Sequence, residues 1–426
     1  MATRSRDYSI AVVGGGIGGL CCAIGLMHQG VPVTIYEAAS AFAEIGAGVS
    51  LGPNAARAMS MIDPKIIKGF QKCVTNNAYP ENQKYWFQFR KGQDRSSFTG
   101  THVYNLVCPT GQASVHRAHF LNELVSLVPK ETAHFGKRLE NYTDNGDHVI
   151  LEFGDGSTAK HSALIACDGI KSRARQILLG ENSPAAKPVF SGKYAYRGLI
   201  PMDQAAKLLG DDLARNSQLY MGKHGHMLTF PIEKGATMNV VAFQAKRDGK
   251  WEDEQWVLPM KKEDMYREFD GWVDAVGEIV GLMQKPDVWA LFEHPPAETY
   301  TKGRVCLLGD AAHATTPHQG AGAGMAIEDA LLISSAMSLV YKAEDIPKAF
   351  KAYDTVQRPR SQKLVTTSNE GGRLYEMELP GVEEDTEAIK EHLSRRMKWI
   401  WEVDLQANVD RVKSLVSESQ PSNTRL

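Results

Sequence analysis

The sequence predicts an α/β protein. It has a parallel-sheet domain assembled from separated stretches, an antiparallel-sheet domain set between them, and a helical C-terminal region. Three observations predict this. Near the N-terminus an apolar strand runs straight into Gly14-x-Gly16-x-x-Gly19. A second apolar strand ends at Cys167-Asp168-Gly169, and a third at Gly309-Asp310. Strands that are continuously apolar read as buried on both faces, as in a parallel sheet. Each of these is broken by glycine where it leaves the sheet.

Ser9 to Val13 is the first strand, and a helix follows from about Ile17 to Gln29. Gly14 permits the tight turn, Gly16 lets the backbone approach a pyrophosphate, and Gly19 lets the helix pack on the strand. The helix N-terminus offers free N–H groups and a positive dipole end to phosphate. Gly30 stops the helix. Val31 to Tyr36 is the second strand, and Glu37 at its end can accept hydrogen bonds from a ribose 2′-OH. A carboxylate there repels a 2′-phosphate, so the ligand is FAD or NAD rather than NADP. Strand, helix, second strand and acid in register make this a Rossmann-type unit rather than a lone glycine pattern. Ile10 to Met27 carries no charge, but its many glycines and the flanking Asp7 and His28 argue against a membrane span.

Val149 to Phe153 and Ser157 to Ala166 read as a hairpin that ends in the second motif strand. Asp168-Gly169-Ile170-Lys171-Ser172 follows; without a ligand it reads as an Asp-Gly turn capped by Ser172. Gly303 to Leu308 is the third strand. After Gly309-Asp310 come Pro317-His318-Gln319-Gly320-Ala321-Gly322-Ala323-Gly324 and a helix from Met325 to Ser338. Alternating small residues let the backbone approach a flat ring, and the helix N-terminus points positive potential at it.

These three motifs, in this order, resemble the FAD-dependent aromatic hydroxylases, the single-component flavoprotein monooxygenases. The resemblance covers about residues 8 to 370 and implies a bound FAD, with NADH or NADPH as a transient co-substrate. It implies that Asp168 lies in the fingerprint touching both flavin and nicotinamide, and that Asp310 holds the ribityl chain. Gly320, Ala323 and Gly324 would then lie at the isoalloxazine ring. Glu44 to Val49, with Ala47 and Gly48, is similar to the segment along the flavin in the salicylate hydroxylase branch. Val115-His116-Arg117 is similar to the position of a flavin-binding Arg; otherwise Arg117 is a surface residue opening a helix. The family reaction reduces the flavin, captures O2 as a C4a-hydroperoxide and transfers one oxygen atom to a phenolic ring.

Such an enzyme must anchor a phenol and exclude water. Arg197, in Tyr196-Arg197-Gly198-Leu199, is similar in placement to the substrate Arg of related fungal enzymes. The alternative is an Arg on a wet sheet face paired to a carboxylate. His226 alternates with Leu228 and Phe230 on one strand face and is a proton-handling candidate, or else a satisfied core histidine. His318, beside the third motif, is a second proton-handling candidate. His313 and His318 lack a third ligand at metal spacing, so no metal is expected. Many relatives have Tyr where this chain has Phe230, and Tyr104, Tyr196 or Tyr220 would have to compensate.

The FAD-binding domain is expected at 1–75, 105–182 and 285–370, the substrate-binding sheet at 76–104 and 183–284, and helices with a polar tail at 371–426. A net charge of −2 gives no footprint for nucleic acid. The six cysteines are scattered without CxxC spacing and read as reduced thiols of a cytoplasmic protein. Thr424-Arg425-Leu426 only partly matches a peroxisomal Ser-Lys-Leu tail. A monomer or homodimer is expected. Two substrate readings stand: a salicylate-type acid decarboxylated to a catechol, or a resorcinol-type polyketide that is dearomatised. Two other classes are a flavin-dependent halogenase, for which Trp399-Ile400-Trp401 is the weak cue, and a flavin-binding regulator without turnover.

Overall fold

The computed structural model describes residues 6–42, 48–246, 248–259, 261–283 and 287–418. A six-stranded sheet runs in the order Thr301–Lys302, Val305–Leu307, Ala163–Ala166, Ile10–Val13, Val33–Tyr36, Ala133–His134. All neighbours are parallel except the first pair. The register sets Val13 against both Ala166 and Tyr36, and Ala166 against Leu307. The three motifs therefore leave the sheet side by side at one carboxyl edge, where open α/β sheets bind ligands.

The helix Ile17–His28 lies against the helix Gly322–Met337, and small residues allow the close approach. A Cβ on Gly25 would stand 2.8 Å from Ser334 Oγ, and one on Gly18 would stand 3.1 Å from the Ala326 Cβ. The predicted hairpin is part of a separate antiparallel sheet, Leu139–Asp144, Val149–Phe153 and Thr158–His161. Ala163–Ala166 then returns to the parallel sheet.

The second sheet has eight strands, in the order Val257–Pro259, Asp287–Glu293, Val189–Pro201, Thr237–Ala245, Gly225–Ile232, Gln218–Gly222, Tyr85–Lys91, His102–Val107. It is antiparallel except between Gln218–Gly222 and Tyr85–Lys91. Both faces are buried. Trp86, Phe89, Leu228, Phe230 and Phe243 form one core, and Tyr196, Tyr220, Met227, Met238 and Val240 the other. The strand Asp287–Glu293 belongs to this sheet, beyond the expected boundary at 285, and His102–Val107 straddles the one at 105. The chain rejoins the flavin-side elements only at His294, whose N–H donates to the Ala314 carbonyl.

The C-terminal helices are not a separate layer. Val409, Val412 and Val416 pack into the parallel-sheet core, while Ile389, Leu393 and Trp401 pack into the core of the second sheet. The long helix Ile346–Tyr375 spans the same two regions. Among the described residues no helix is long and apolar enough to cross a membrane. The polar tail from 419, including Thr424-Arg425-Leu426, lies outside the described residues.

Candidate active site

Gly14 has φ +107°, and a Cβ there would fall 2.1 Å from the Cys167 carbonyl oxygen; one on Gly19 would fall 2.0 Å from that of Gly14. Both positions exclude a side chain because the turn is folded against its neighbouring strand. Gly16 is the N-cap of the helix, with no side chain capping the free amides of the first turn. Glu37 accepts from the Gly15 and Ala39 N–H groups, at 2.7 Å each, and lines the cavity beside Gly14 to Gly16.

Three cavities meet at Arg117, the first residue of the helix Arg117–Val125. One, of about 660 Å³, runs along Gly14–Gly16, Glu37, Asp168 and Lys171. The next, of about 280 Å³, lies between Gly16–Gly19, Gly309–Asp310 and Gly320–Ala323. The third, of about 310 Å³, opens under the eight-stranded sheet. The first two form a glycine-floored trough with a helix N-terminus on its wall, which fits an extended dinucleotide. These residues suit FAD: Asp310 presents an exposed carboxylate to the trough, and Gly320, with φ +60°, turns the chain beneath it.

Two of the expected residues carry structural duties. Asp168 lines the first cavity, but its carboxylate accepts from Ser172 Oγ at 2.6 Å and from the Ala174 N–H at 3.1 Å. The expected cap is Ser172, whose Oγ accepts from the Arg175 N–H at 2.9 Å; Asp168 braces that cap of the helix Arg173–Leu179, and burial raises its pKa against those bonds. A Cβ on Gly324 would meet Ala55 at 3.3 Å, so its missing side chain serves helix packing; it is not among the residues lining the trough. Ala47 lies outside the described residues, whereas Gly48 follows in the strand Gly48–Ser50 and lines the third cavity. His313 is an ion-paired core histidine. Its Nε2 lies 2.6 Å from Asp329 Oδ2, and Asp329 outweighs burial to raise its pKa. Sequence reasoning missed Arg175, fully buried and tied by its guanidinium to the carbonyls of Ala185, Pro295, Ala311 and Ala312. It locks the second motif onto the third.

The third cavity is walled by Trp86, Phe89, Leu228, Phe230, Phe243 and Trp289. Arg197 enters it with its guanidinium carbon 4.8 Å from the Trp289 ring centre. Among the described residues no carboxylate pairs with it. Burial, and then repulsion from Arg117, lower its pKa to about 10. His318, from the turn Pro317–Gln319, also lines the cavity. His226 does not. It is fully buried, stacked on Phe243 at 4.2 Å, with its ring centre 5.2 Å from that of His318. Any role for His226 is thus exerted through a neighbour.

The proposed compensating tyrosines are elsewhere. Tyr196 turns to the far face and donates to Glu268, Tyr220 is buried on that same face, and Tyr104 packs near the core without lining the cavity. The tyrosine that does line it is Tyr375, the last residue of the long helix, which no motif signalled. The tryptophans near the C-terminus pack as helix residues: Trp401 lies edge-on to Trp86, and Trp399 lies under Arg360 and Lys363. Among the described residues, His116, His119 and Glu233 bring ligand atoms within 4.8 Å of one another. None of the three lines the cavities described here.

Comparison with known proteins agrees with this geometry. A family model described as FAD binding domain matches residues 7–368. A 6-methylsalicylate 1-monooxygenase of Aspergillus terreus is 43% identical over 409 residues, spanning 95% of this chain and 91% of that protein. A salicylate hydroxylase of Pseudomonas putida is 38% identical over 421 residues, spanning 96% and 95%. A solved salicylate hydroxylase substrate complex superposes with a TM-score of 0.86 at 38% identity, covering 95% of this chain and 98% of that one.

Proposed function

Because the chain belongs to the FAD-dependent aromatic monooxygenases of the salicylate hydroxylase type, we propose that it acts on a small phenolic acid held by Arg197. The enzyme uses FAD, NAD(P)H and O2 to hydroxylate a phenolic ring. The observation that carries the substrate class is the Arg197 guanidinium, which among the described residues has no carboxylate partner, in a cavity walled mainly by aromatic and aliphatic side chains. A half-buried cation without a counter-ion is costly, and an aromatic carboxylate or phenolate removes that cost with forked, charge-assisted hydrogen bonds. A cavity of about 310 Å³ suits a single substituted ring rather than an extended polyketide.

Gly14–Gly19, Asp310 and Gly320–Ala323 would hold FAD, which when bound and reduced by NAD(P)H would supply the activated oxygen. The protein's own residues do the rest. Arg197 fixes the anionic edge of the substrate, and Trp289 and Phe230 hold the ring plane. Tyr375 faces the ring as a hydrogen-bonding group, and the His318 ring packs in the wall beside it. The aromatic walls keep water from the reacting carbon. With an ortho-hydroxybenzoate, oxygen enters at the carboxyl-bearing carbon. The bond to the carboxyl group breaks, CO2 leaves, and the product is a catechol. The two relatives named for salicylate and 6-methylsalicylate support this substrate class.

The test is NAD(P)H oxidation by the purified holoenzyme with salicylate, 6-methylsalicylate, 3- and 4-hydroxybenzoate, an orcinol-type aldehyde and no substrate, with product mass read in parallel. Stimulated turnover yielding the decarboxylated catechol is expected. A product from the neutral aldehyde alone would overturn the anionic reading in favour of dearomatisation. A chloride-dependent product would point to halogenation instead.

A further inference from the structure

A second group of ligating side chains lies apart from the three cavities. His116 ends the strand Ser114–His116, His119 stands in the first turn of the helix Arg117–Val125, and Glu233 opens the turn Glu233–Gly235. That turn joins the strands Gly225–Ile232 and Thr237–Ala245 of the eight-stranded sheet. The flavin side thus supplies two imidazoles and the substrate sheet one carboxylate. The imidazole ring centres are 4.4 Å apart, with their planes inclined by 34°. One donor atom from each of the three residues lies within 4.8 Å of the other two. Donors on one tetrahedral zinc ion stand about 3.3 Å apart, and side-chain rotation closes that difference.

Three observations point to a ligand rather than to chance neighbours. Nδ1 of His116 is buried and, among the described residues, has no hydrogen-bond partner. Glu233 Oε2 accepts from Thr237 Oγ1 at 2.6 Å, which orients the carboxylate as outer partners orient metal ligands. The backbone on both sides of Glu233 is pinned to the strand that ends in His116. Ser114 Oγ donates to the Pro231 carbonyl at 2.6 Å, and the Lys234 N–H donates at 2.8 Å to Oγ1 of Thr75, which itself pairs with Ser114. The donors are therefore assembled by the fold before any ion arrives. Two imidazoles and one carboxylate suit a zinc-class cation that keeps a position open for water. They do not suit Mg2+ or Ca2+, which take oxygen ligands.

We propose that His116, His119 and Glu233 bind one Zn2+-class divalent cation, which clamps the helix Arg117–Val125 to the substrate sheet. The two histidines flank Arg117, where the three cavities meet. A bound ion fixes the chain on either side of Arg117 and so slows the release of flavin from the trough. None of the three ligands lines a cavity, so the ion acts through position alone.

The experiment uses the holoenzyme, freed of metal on a chelating resin and titrated with Zn2+ by calorimetry in the absence of substrate. One ion per chain is expected, undisturbed by a roughly tenfold excess of Mg2+. His119→Ala and Glu233→Gln should each weaken binding at least about tenfold, with bound flavin retained. The rival ligand is Cys73, a partly exposed thiol beside Glu123 and Lys234, and Cys73→Ser should bind as the wild type does. Unchanged affinity in both ligand variants, or loss of binding in Cys73→Ser alone, would overturn the site. His119 is exposed, so its variant decides the matter if Glu233→Gln misfolds. Flavin release is then followed by the fluorescence of freed FAD after dilution. Saturating Zn2+ should slow it at least about threefold in the wild type and leave His119→Ala unaffected. Release at the same rate with one ion bound would overturn the clamp.

Discussion

Arg197→Met tests the anchor with least disturbance to the fold. The guanidinium reaches into the cavity over Trp289, and among the described residues it holds no carboxylate, so its removal strands no buried anion. A charge-assisted hydrogen bond contributes about 1.5–3 kcal/mol, and a forked pair offers two. Part of that gain is already offset, because the free enzyme pays to keep the cation desolvated, as its pKa of about 10 shows. A net loss of about 2–4 kcal/mol is expected, a rise of roughly 30- to 1000-fold in Kd for a phenolic acid. The assay is titration of the flavin absorbance with salicylate, beside substrate-stimulated NAD(P)H oxidation and product mass. Bound flavin is expected to stay at the wild-type level, and the melting temperature to stay or rise. Arg197→Lys keeps the charge but loses the fork, so its affinity should fall between the two. A Kd within threefold of wild type in Arg197→Met would refute the anchor. Loss of flavin together with a lower melting temperature would show that Arg197 is structural.

Gly14→Ala places a methyl 2.1 Å from a backbone oxygen at φ +107°, which no rotamer relieves; the expected outcome is protein without bound flavin, read from the ratio of visible to ultraviolet absorbance. Tyr375→Phe removes the hydroxyl in the cavity and should lower kcat by about ten- to a hundredfold at unchanged flavin content; a kcat within twofold of wild type would dismiss it. Burial, then Arg175 and His313, push the pKa of His294 down to about 3, so it is neutral in the fold while the unfolded chain takes up a proton below about 6.5. Its contribution is complete above that pH and is lost as pH falls toward 3. In urea melts the wild type should therefore lose about 1.4 kcal/mol per pH unit relative to His294→Gln between pH 6 and 4, and parallel slopes would show that His294 titrates normally.

What the sequence made legible was what the backbone enforces locally. The Gly14 and Gly19 positions tolerate no Cβ, so the residues that mark the turn are the ones its geometry demands. Strand register then brings Gly14, Asp168 and Gly309 to one sheet edge, and three motifs distant in the chain become one site. Asp168 shows the limit of that reading. The same Asp, Gly and Ser letters fit a nucleotide contact and a helix cap; Ser172 makes the cap, and Asp168 braces it through Ser172 and Ala174 while remaining on the cavity wall.

The missing phenol partner teaches the sharper lesson, because half of the answer was available in advance. Side chains on a strand alternate faces. If Arg197 faces the substrate, Tyr196 must face away, and the structure places it at Glu268 on the far side. The same parity sets Leu219 in the cavity wall and Tyr220 behind it, and it puts His226, Leu228 and Phe230 on one face. Period-2 reasoning could thus have removed two of the three candidate tyrosines. It could not have supplied Tyr375, which ends a 30-residue helix and reaches the cavity through the packing of that helix against the third motif. Nor could it have paired Lys193 with Glu376, which are 183 positions apart and carry no shared pattern. Which face a side chain takes is decided by its immediate neighbours in the chain. Which distant helix end closes over that face is decided by the whole core, and in this protein that second decision places Tyr375 in the cavity wall and Glu376 against Lys193.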